Sequence, residues 1–196
     1  MNQRTAGSAR ASGKVLALEL DGLNVPALLD ELDIALQELV APFEKDAARW
    51  SSAPAGKWSP GQHVEHVAHV LAIGADALER AADDLLRGDL PPRPWRDPFQ
   101  ALFVHAVTRK FLKGDKAPSG AVPGATPERE RAIGRLAQGL LRHRTLSDKL
   151  TPEQRDRLWI WNPYAPRLRW HYTFAEIVRV QTTHAHHHLE QARAVR

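Results

Sequence analysis

The stretch that decides the fold reads Trp58-Ser59-Pro60-Gly61-Gln62-His63-Val64-Glu65-His66. It carries the start signal of a helix, because Ser59 is a good side-chain cap, Pro60 suits the first helical position and Gln62 stands where it can complete a capping box. Apolar residues then recur at helical spacing until Gly88 ends the pattern. We therefore predict one long helix, with both histidines of the stretch on its broad apolar face.

The rest of the sequence also has the pattern of helices, joined by loops rich in proline and glycine. Helical spacing of apolar residues predicts further helices over residues 25–50, 99–111, 127–150 and 174 to nearly 196. Start signals stand at Thr126, at Thr151 for a short helical turn, and at Thr173. Residues 159–170 are rich in tryptophan and predict an ordered loop. Residues 15–20 are compatible with a short strand or another helical turn, and the main helices show no strand pattern. The fold class that we expect is all-α: a four-helix bundle with an additional short helix in a long connection.

The composition is that of a single globular domain. The chain has 196 residues, of which 43% are hydrophobic and 26% charged, and this length can bury a core without crosslinks. Residues 1–13 are small and polar, so we expect a disordered tail there and one helical domain over residues 14–196. There is neither an apolar run of about 18 residues nor the apolar core of a secretory signal. We therefore expect a cytoplasmic protein of bacterial type, with no membrane span.

The charge pattern argues against a nucleic-acid binder. Lys and Arg total 27 and Asp and Glu total 23, for a net charge of +4 that is spread along the chain. Nucleic-acid binders usually concentrate basic residues on one face, whereas the arginines here alternate with acidic and apolar residues, as on a solvated helix face. The chain has no cysteine, so a transition-metal site would have to consist of histidine and carboxylate ligands.

A second histidine-rich run lies near the end of the chain and reads Thr183-His184-Ala185-His186-His187-His188-Leu189-Glu190-Gln191. Residues four apart on a helix lie one above the other, so His184 and His188 can bind the same metal ion. Both flank the apolar stripe of this helix, whereas His186 and His187 point away from it. Two such histidines that are satisfied by core hydrogen bonds are the alternative. The third ligand would come from the first stretch, and helix geometry does not choose between its two histidines, His63 and His66.

Together the two histidine runs resemble the DinB/YfiT-like superfamily. The first run is similar to the family's W-[ST]-x-x-x-x-x-x-H motif, whose metal-binding histidine stands eight residues after the tryptophan, here at His66. The second is similar to the family's closing H-x-x-x-H-x-x-Q motif, at His184 and His188. The resemblance covers roughly residues 26–194 and implies a four-helix bundle that holds one divalent metal ion through His66, His184 and His188. The long connection over about residues 88–124 departs from the family's usual pattern.

The resemblance also implies an open metal site. Three neutral imidazoles leave at least one coordination position for water or a ligand, unlike structural zinc sites, which four protein ligands close. This donor set suits Zn, Ni or Fe. Gln181, Gln191 and Glu65 are candidates to orient the imidazole rings. Characterised members of the family include transferases and isomerases in which the metal activates a low-molecular-weight thiol. The resemblance therefore implies a metal-dependent thiol S-transferase or isomerase that acts on such a thiol and a small electrophile. A non-catalytic metal-binding or stress-associated helical module is the alternative.

Several other residues invite two interpretations. Two interpretations fit one group of arginines and tryptophans: they line a pocket for an acidic thiol, or they simply pack a loop. The group consists of Arg167, Arg169, Trp159 and Trp161. Three further histidines are possible ligands by residue type: His105, His143 and His171. We expect each of them to lie at the surface or to form ordinary hydrogen bonds. Bundles of this size often pair through a helix face, so the sequence is compatible with a homodimer.

Overall fold

The computed structural model describes residues 20–43, 46–109, 117–165 and 167–195. Within these ranges the seven α-helices are α1 (Val25–Val40), α2 (Ala47–Ser51), α3 (Pro60–Arg87), α4 (Pro98–Val107), α5 (Arg129–Lys149), α6 (Pro152–Arg157) and α7 (Phe174–Ala194). Single 3₁₀ turns cover Ala41–Phe43 and Ser119–Ala121, and two short strands are β1 (Trp159–Trp161) and β2 (His171–Thr173). The tail that we predicted over residues 1–13 lies outside the described residues.

The four long helices form a closed ring. Helix α3 packs against α5 and α7, and α1 packs against the same two helices, so each long helix has two neighbours. Their apolar faces meet in one core, in which Leu28, Leu32, Leu71, Leu78 and Ile177 are fully buried. The short helix α4 lies in the long connection between α3 and α5. The prediction of an all-α bundle with an additional short helix is confirmed. None of the described helices is long and apolar enough to cross a membrane.

Local signals set the starts of the two helices that matter most for the site. Ser59 caps α3 and Gln62 closes its capping box, as the sequence predicts. Thr173 and Glu176 form the same box at the start of α7. The helix α3 ends at Gly88, whose φ of 83° is in the left-handed region that glycine adopts without strain. The residues that bear the histidines therefore lie in helices with well-defined beginnings.

Trp50 packs against the start of α3. A Cβ atom at Gly61 would lie 2.5 Å from the Trp50 ring, so only glycine lets the indole approach the helix this closely. The Trp50 Nε1 donates a hydrogen bond to the carbonyl oxygen of Pro127 at 2.8 Å. Trp50 thus joins the first turn of α3 to the segment that leads into α5.

Three predicted helix boundaries were wrong. The first helix does not continue over residues 25–50: it ends at Val40, and α2 begins separately after the cap Asp46. The reason is Pro42, which has no N–H for a helical hydrogen bond and clashes with the preceding turn. Helix α5 starts not at the Thr126 signal but after Glu128, whose side chain accepts hydrogen bonds from two backbone N–H groups. The predicted helix over residues 99–111 spans Pro98–Val107, and residues 110–116 lie outside the described chain.

The expectation of no strands was also wrong, although the sheet is small. Strands β1 and β2 pair antiparallel, with Ile160 opposite Tyr172 and Trp161 opposite His171. Their residues are mostly aromatic or β-branched, which suits a pleated surface. The pairing brings the two ends of the predicted 159–170 loop together. The sheet thereby delivers the chain to the cap of α7.

Candidate metal site

Helices α3 and α7 bring four histidines together at their interface. His63 lies opposite His188 and His66 opposite His184, so the two helices run antiparallel along this seam. The spacing of three residues on α3 and four on α7 places each pair on the face that meets the other helix. The fold thus joins two runs that are more than a hundred residues apart in the sequence.

Three of the four histidines direct the same nitrogen toward a common point. The Nε2 atoms of His66 and His184 are 3.1 Å apart, and those of His184 and His188 are 2.9 Å apart. Two ligand nitrogens about 2.0–2.1 Å from one metal ion, and about 90–110° apart at it, lie about 2.8–3.4 Å from each other. His66, His184 and His188 form the group, among the described residues, whose ligand atoms all lie within 4.8 Å of one another. The donor set therefore fits a single divalent ion. We call these three residues the triad.

The orientation of His66 is fixed by a backbone carbonyl. Its Nδ1 lies 2.6 Å from the carbonyl oxygen of Ala121. A carbonyl can only accept, so Nδ1 must carry the hydrogen, and in the neutral ring Nε2 then presents a lone pair. This is the arrangement in which metal-binding histidines are usually held, with the outer nitrogen hydrogen-bonded. The sequence gives no signal for this partner, because any residue type offers a backbone carbonyl.

The segment that contains Ala121 is bound to α3 by further polar contacts. The Glu65 Oε2 accepts a hydrogen bond from the Gly124 N–H at 2.7 Å, and the Gln62 side chain donates to the Gly124 carbonyl oxygen at 3.1 Å. This segment belongs to the long connection between α3 and α5. The connection therefore contributes to the site by holding a ring acceptor in place.

Burial keeps the triad uncharged. The exposed fractions of His66, His184 and His188 are 4%, 5% and 6%. Removal from water lowers the pKa of each imidazole, and the neighbouring histidines lower it further for His184 and His188. The rings are therefore neutral near pH 7, which is the protonation state that a metal ion requires of histidine.

His63 and Trp58 lie on the outer side of the triad. The Nδ1 of His63 is 2.8 Å from the Nδ1 of His188, the nitrogen that faces away from the Nε2 cluster. The Trp58 ring lies over three histidines, with centroids 4.9 Å from His66, 5.6 Å from His63 and 6.0 Å from His188. Of the two histidines left open by the sequence, His66 joins the Nε2 cluster, whereas His63 contacts the outer edge of the His188 ring.

A second polar layer lies one helical turn from the triad. Gln181 on α7 donates from Nε2 to the Tyr164 hydroxyl oxygen at 3.1 Å, and that hydroxyl donates to the Val70 carbonyl oxygen at 3.4 Å. A Cβ atom at Gly74 would lie 2.2 Å from the Gln181 Nε2, so a larger residue here would have to displace the end of the Gln181 side chain. Of the residues proposed to orient the rings, Gln181 is buried in this layer, Glu65 holds the Gly124 segment, and Gln191 is exposed.

The other histidines lie outside the cluster. His186 and His187 are half-buried on α7, and His105 is exposed with Arg109 beside its Nδ1. His143 is buried in α5, where its Nδ1 lies 2.8 Å from the Gly139 carbonyl oxygen. His171 is buried on β2. Around it, Trp159 is buried and donates to the Pro91 carbonyl oxygen, whereas Trp161, Arg167 and Arg169 are exposed.

Comparison with known proteins agrees with the geometry. A family model described as the DinB superfamily matches residues 28–192. The chain belongs to the DinB superfamily. The DinB match runs from α1 to α7 and includes the whole triad, which confirms the resemblance seen in the two histidine runs. No curated protein and no solved structure matches the chain at a significant level.

Proposed function

We propose that this DinB superfamily protein binds one divalent metal ion through the Nε2 atoms of the triad and acts as a thiol S-transferase or isomerase. The observation that carries the proposal is the convergence of three buried, neutral imidazole nitrogens at 2.9–3.1 Å along the described contacts. Each belongs to a helix of the bundle rather than to a flexible loop, so the ligands are positioned before the ion arrives.

A site with three protein ligands leaves a coordination position open on the metal ion. A divalent ion with three imidazole ligands keeps a position for an external ligand, whereas a structural zinc site has four protein ligands. The all-nitrogen donor set suits Zn, Ni or Fe, and availability in the cell would decide among them. When bound, such an ion lowers the pKa of a coordinated thiol and so supplies a thiolate near neutral pH.

The thiol must come from outside the protein. The chain contains no cysteine, so a low-molecular-weight thiol would be the sulfur donor. In the transferase reaction the thiol sulfur forms a bond to an electrophilic carbon, the leaving group departs with its electron pair, and the thiol proton is released to solvent. The triad contributes by holding neutral nitrogens in place, while Trp58 and the Ala121 segment exclude water from their far sides.

The assay uses untagged protein loaded with Zn²⁺, Ni²⁺ or Fe²⁺, with glutathione or N-acetylcysteine as the thiol and 1-chloro-2,4-dinitrobenzene as the electrophile. We expect a rate of thioether formation that requires the metal, disappears in His184→Ala and persists in His186→Ala. His186 is the matched control because it lies on the same helix and outside the triad. A rate that is equal in wild type and His184→Ala, or no rate with any thiol, would contradict the catalytic part.

A non-catalytic metal-binding module is the second candidate. It is favoured by the burial of all three rings, which the Trp58 indole and the Ala121 carbonyl cover from outside. Stoichiometric metal in the wild type together with no turnover across the thiol panel would support this candidate over the enzyme. Both candidates share the metal site, so their separation depends on turnover alone.

A further inference from the structure

We infer that His63 is a positioning residue that accepts a hydrogen bond from His188 and holds it in the tautomer that binds metal. The inference deepens the proposed metal site and rests on it. It assigns a role to a fourth histidine of the cluster that is not one of the three ligands.

The tautomers of the two rings follow from one distance. The Nδ1 atoms of His63 and His188 are 2.8 Å apart, which is a hydrogen-bond distance, so one of them carries a hydrogen and the other accepts it. A metal at the triad needs the Nε2 lone pair of His188, and a neutral ring then carries its hydrogen on Nδ1. His188 therefore donates and His63 accepts. His63 in turn must carry its own hydrogen on Nε2.

Burial and packing confine the His63 side chain. It stands one helical turn before His66 on α3 and is buried. The Trp58 ring meets the His63 ring edge-on, at 65°, and stacks on the His188 ring at 23°, so one indole packs against both partners of the hydrogen bond. A side chain confined in this way keeps its acceptor nitrogen aimed at His188.

His66 and His188 each have a hydrogen-bond partner on the outer ring nitrogen, but the two partners differ. His66 has its outer nitrogen on the Ala121 carbonyl, and His188 has its outer nitrogen on the His63 ring. Outer partners of this kind fix the orientation and raise the basicity of a ligating imidazole, and their loss typically lowers metal affinity by about 10- to 100-fold. His63 is not itself positioned as a ligand, because it meets His188 on the ring edge opposite the Nε2 cluster.

The first test is nuclear magnetic resonance of the ¹⁵N-labelled, zinc-loaded protein, which identifies the protonated nitrogen of each histidine. We expect His188 with hydrogen on Nδ1 and zinc on Nε2, and His63 with hydrogen on Nε2. Hydrogen on the Nδ1 of His63 would overturn the inference, since His63 would then be the donor.

The second test is zinc affinity by competition with a chromophoric chelator. We expect His63→Ala to bind one zinc ion about 10- to 100-fold more weakly than the wild type. His63→Gln should recover part of this loss because its side-chain oxygen can accept the hydrogen bond, and His186→Ala should match the wild type. Thermal unfolding of the metal-free variants identifies any loss that comes from misfolding, and the glutamine variant keeps the comparison valid if the alanine variant does not fold.

The outcomes distinguish failure of the positioning role of His63 from failure of the metal site itself. Unchanged affinity in His63→Ala would overturn the positioning role and leave the metal site intact. Complete loss of zinc in both His63 variants, equal to that in His188→Ala, would show that His63 is a ligand, which also overturns the role. A wild-type protein that binds no zinc would overturn the proposed metal site itself.

Discussion

Two clusters of histidine and tryptophan lie along α7, one at its start and one near its middle. At the start, His171 packs against Trp159 and Trp161, with ring centroids 5.6 Å and 6.2 Å away. Near the middle, Trp58 packs over the triad and His63. Burial is the largest cause that lowers the pKa of His171 and of His63, each to about 4. Burial and a low pKa are therefore common to both clusters and do not identify a metal ligand.

What differs is the arrangement of partners. Beside His171, Arg96 forms a two-pronged ion pair with Glu176, at 2.7 Å to each carboxylate oxygen, and also donates to the His171 carbonyl oxygen. These contacts join the connection after α3 to the first turn of α7, which is a structural role. In the triad, imidazole nitrogens meet one another instead. Convergence of lone pairs, rather than burial, therefore distinguishes the candidate metal site from the cluster around His171.

The largest predicted difference between the clusters is in metal content. His66→Ala, His184→Ala and His188→Ala should each lose the stoichiometric metal of the wild type, because two imidazoles retain an ion much more weakly than three. His171→Ala should keep about one metal ion per chain. Elemental analysis of untagged protein checks this. Full metal in His188→Ala, or its loss in His171→Ala, would break the distinction between the clusters.

The next largest effect is stabilisation by metal. A ligand that binds only the folded protein stabilises it by about 2.7 kcal/mol when its free concentration is 100 times Kd. We expect Zn²⁺ to raise the unfolding temperature of the wild type and of His171→Ala by similar amounts, and not that of His184→Ala. Differential scanning fluorimetry with and without zinc measures the shift. An equal shift in all three proteins would place the binding elsewhere.

How far the sequence predicts this molecule depends on whether a signal is local. The caps at Ser59, Thr151 and Thr173 act within one turn, and the structure confirms all three. The β1–β2 pairing and the Ala121 acceptor are contacts between distant residues that carry no local pattern, and both were missed. For His63 and His66 the helix fixes the face but not the ring partners, so only the packed structure shows which of the two rings joins His184 and His188.

Acid should destabilise the metal-free protein through both clusters. Folding holds the pKa of His63 and of His171 at about 4, below the ordinary value of 6.5. The unfolded chain thus binds more protons below pH 6.5, so this stability is complete above pH 6.5 and is lost as pH falls toward 4. Urea unfolding across this range checks the slope, and His171→Ala should flatten it. A stability that rises on acidification would contradict the neutral, buried state of these rings.

The smallest predicted effect concerns the capping box at the start of α7. The Thr173 hydroxyl accepts from the Glu176 N–H at 3.2 Å, and the Glu176 carboxylate accepts from the Thr173 N–H at 2.8 Å. Thr173→Ala should lower the free energy of unfolding by about 1 kcal/mol. Zinc stoichiometry should not change, because His184 lies about 16 Å further along the helix. Thr151→Ala, in the matching box of α6, is the control for a cap that is remote from the ligands.

The most direct test of a metal centre at the triad is anomalous diffraction at the zinc edge from crystals of the zinc-loaded protein. We expect one strong peak, about 2.0–2.1 Å from the Nε2 atoms of His66, His184 and His188. The Nδ1 of His66 should remain on the Ala121 carbonyl oxygen. A peak at His186 and His187 or at His171, or none at the triad, would contradict a metal centre built from these three histidines.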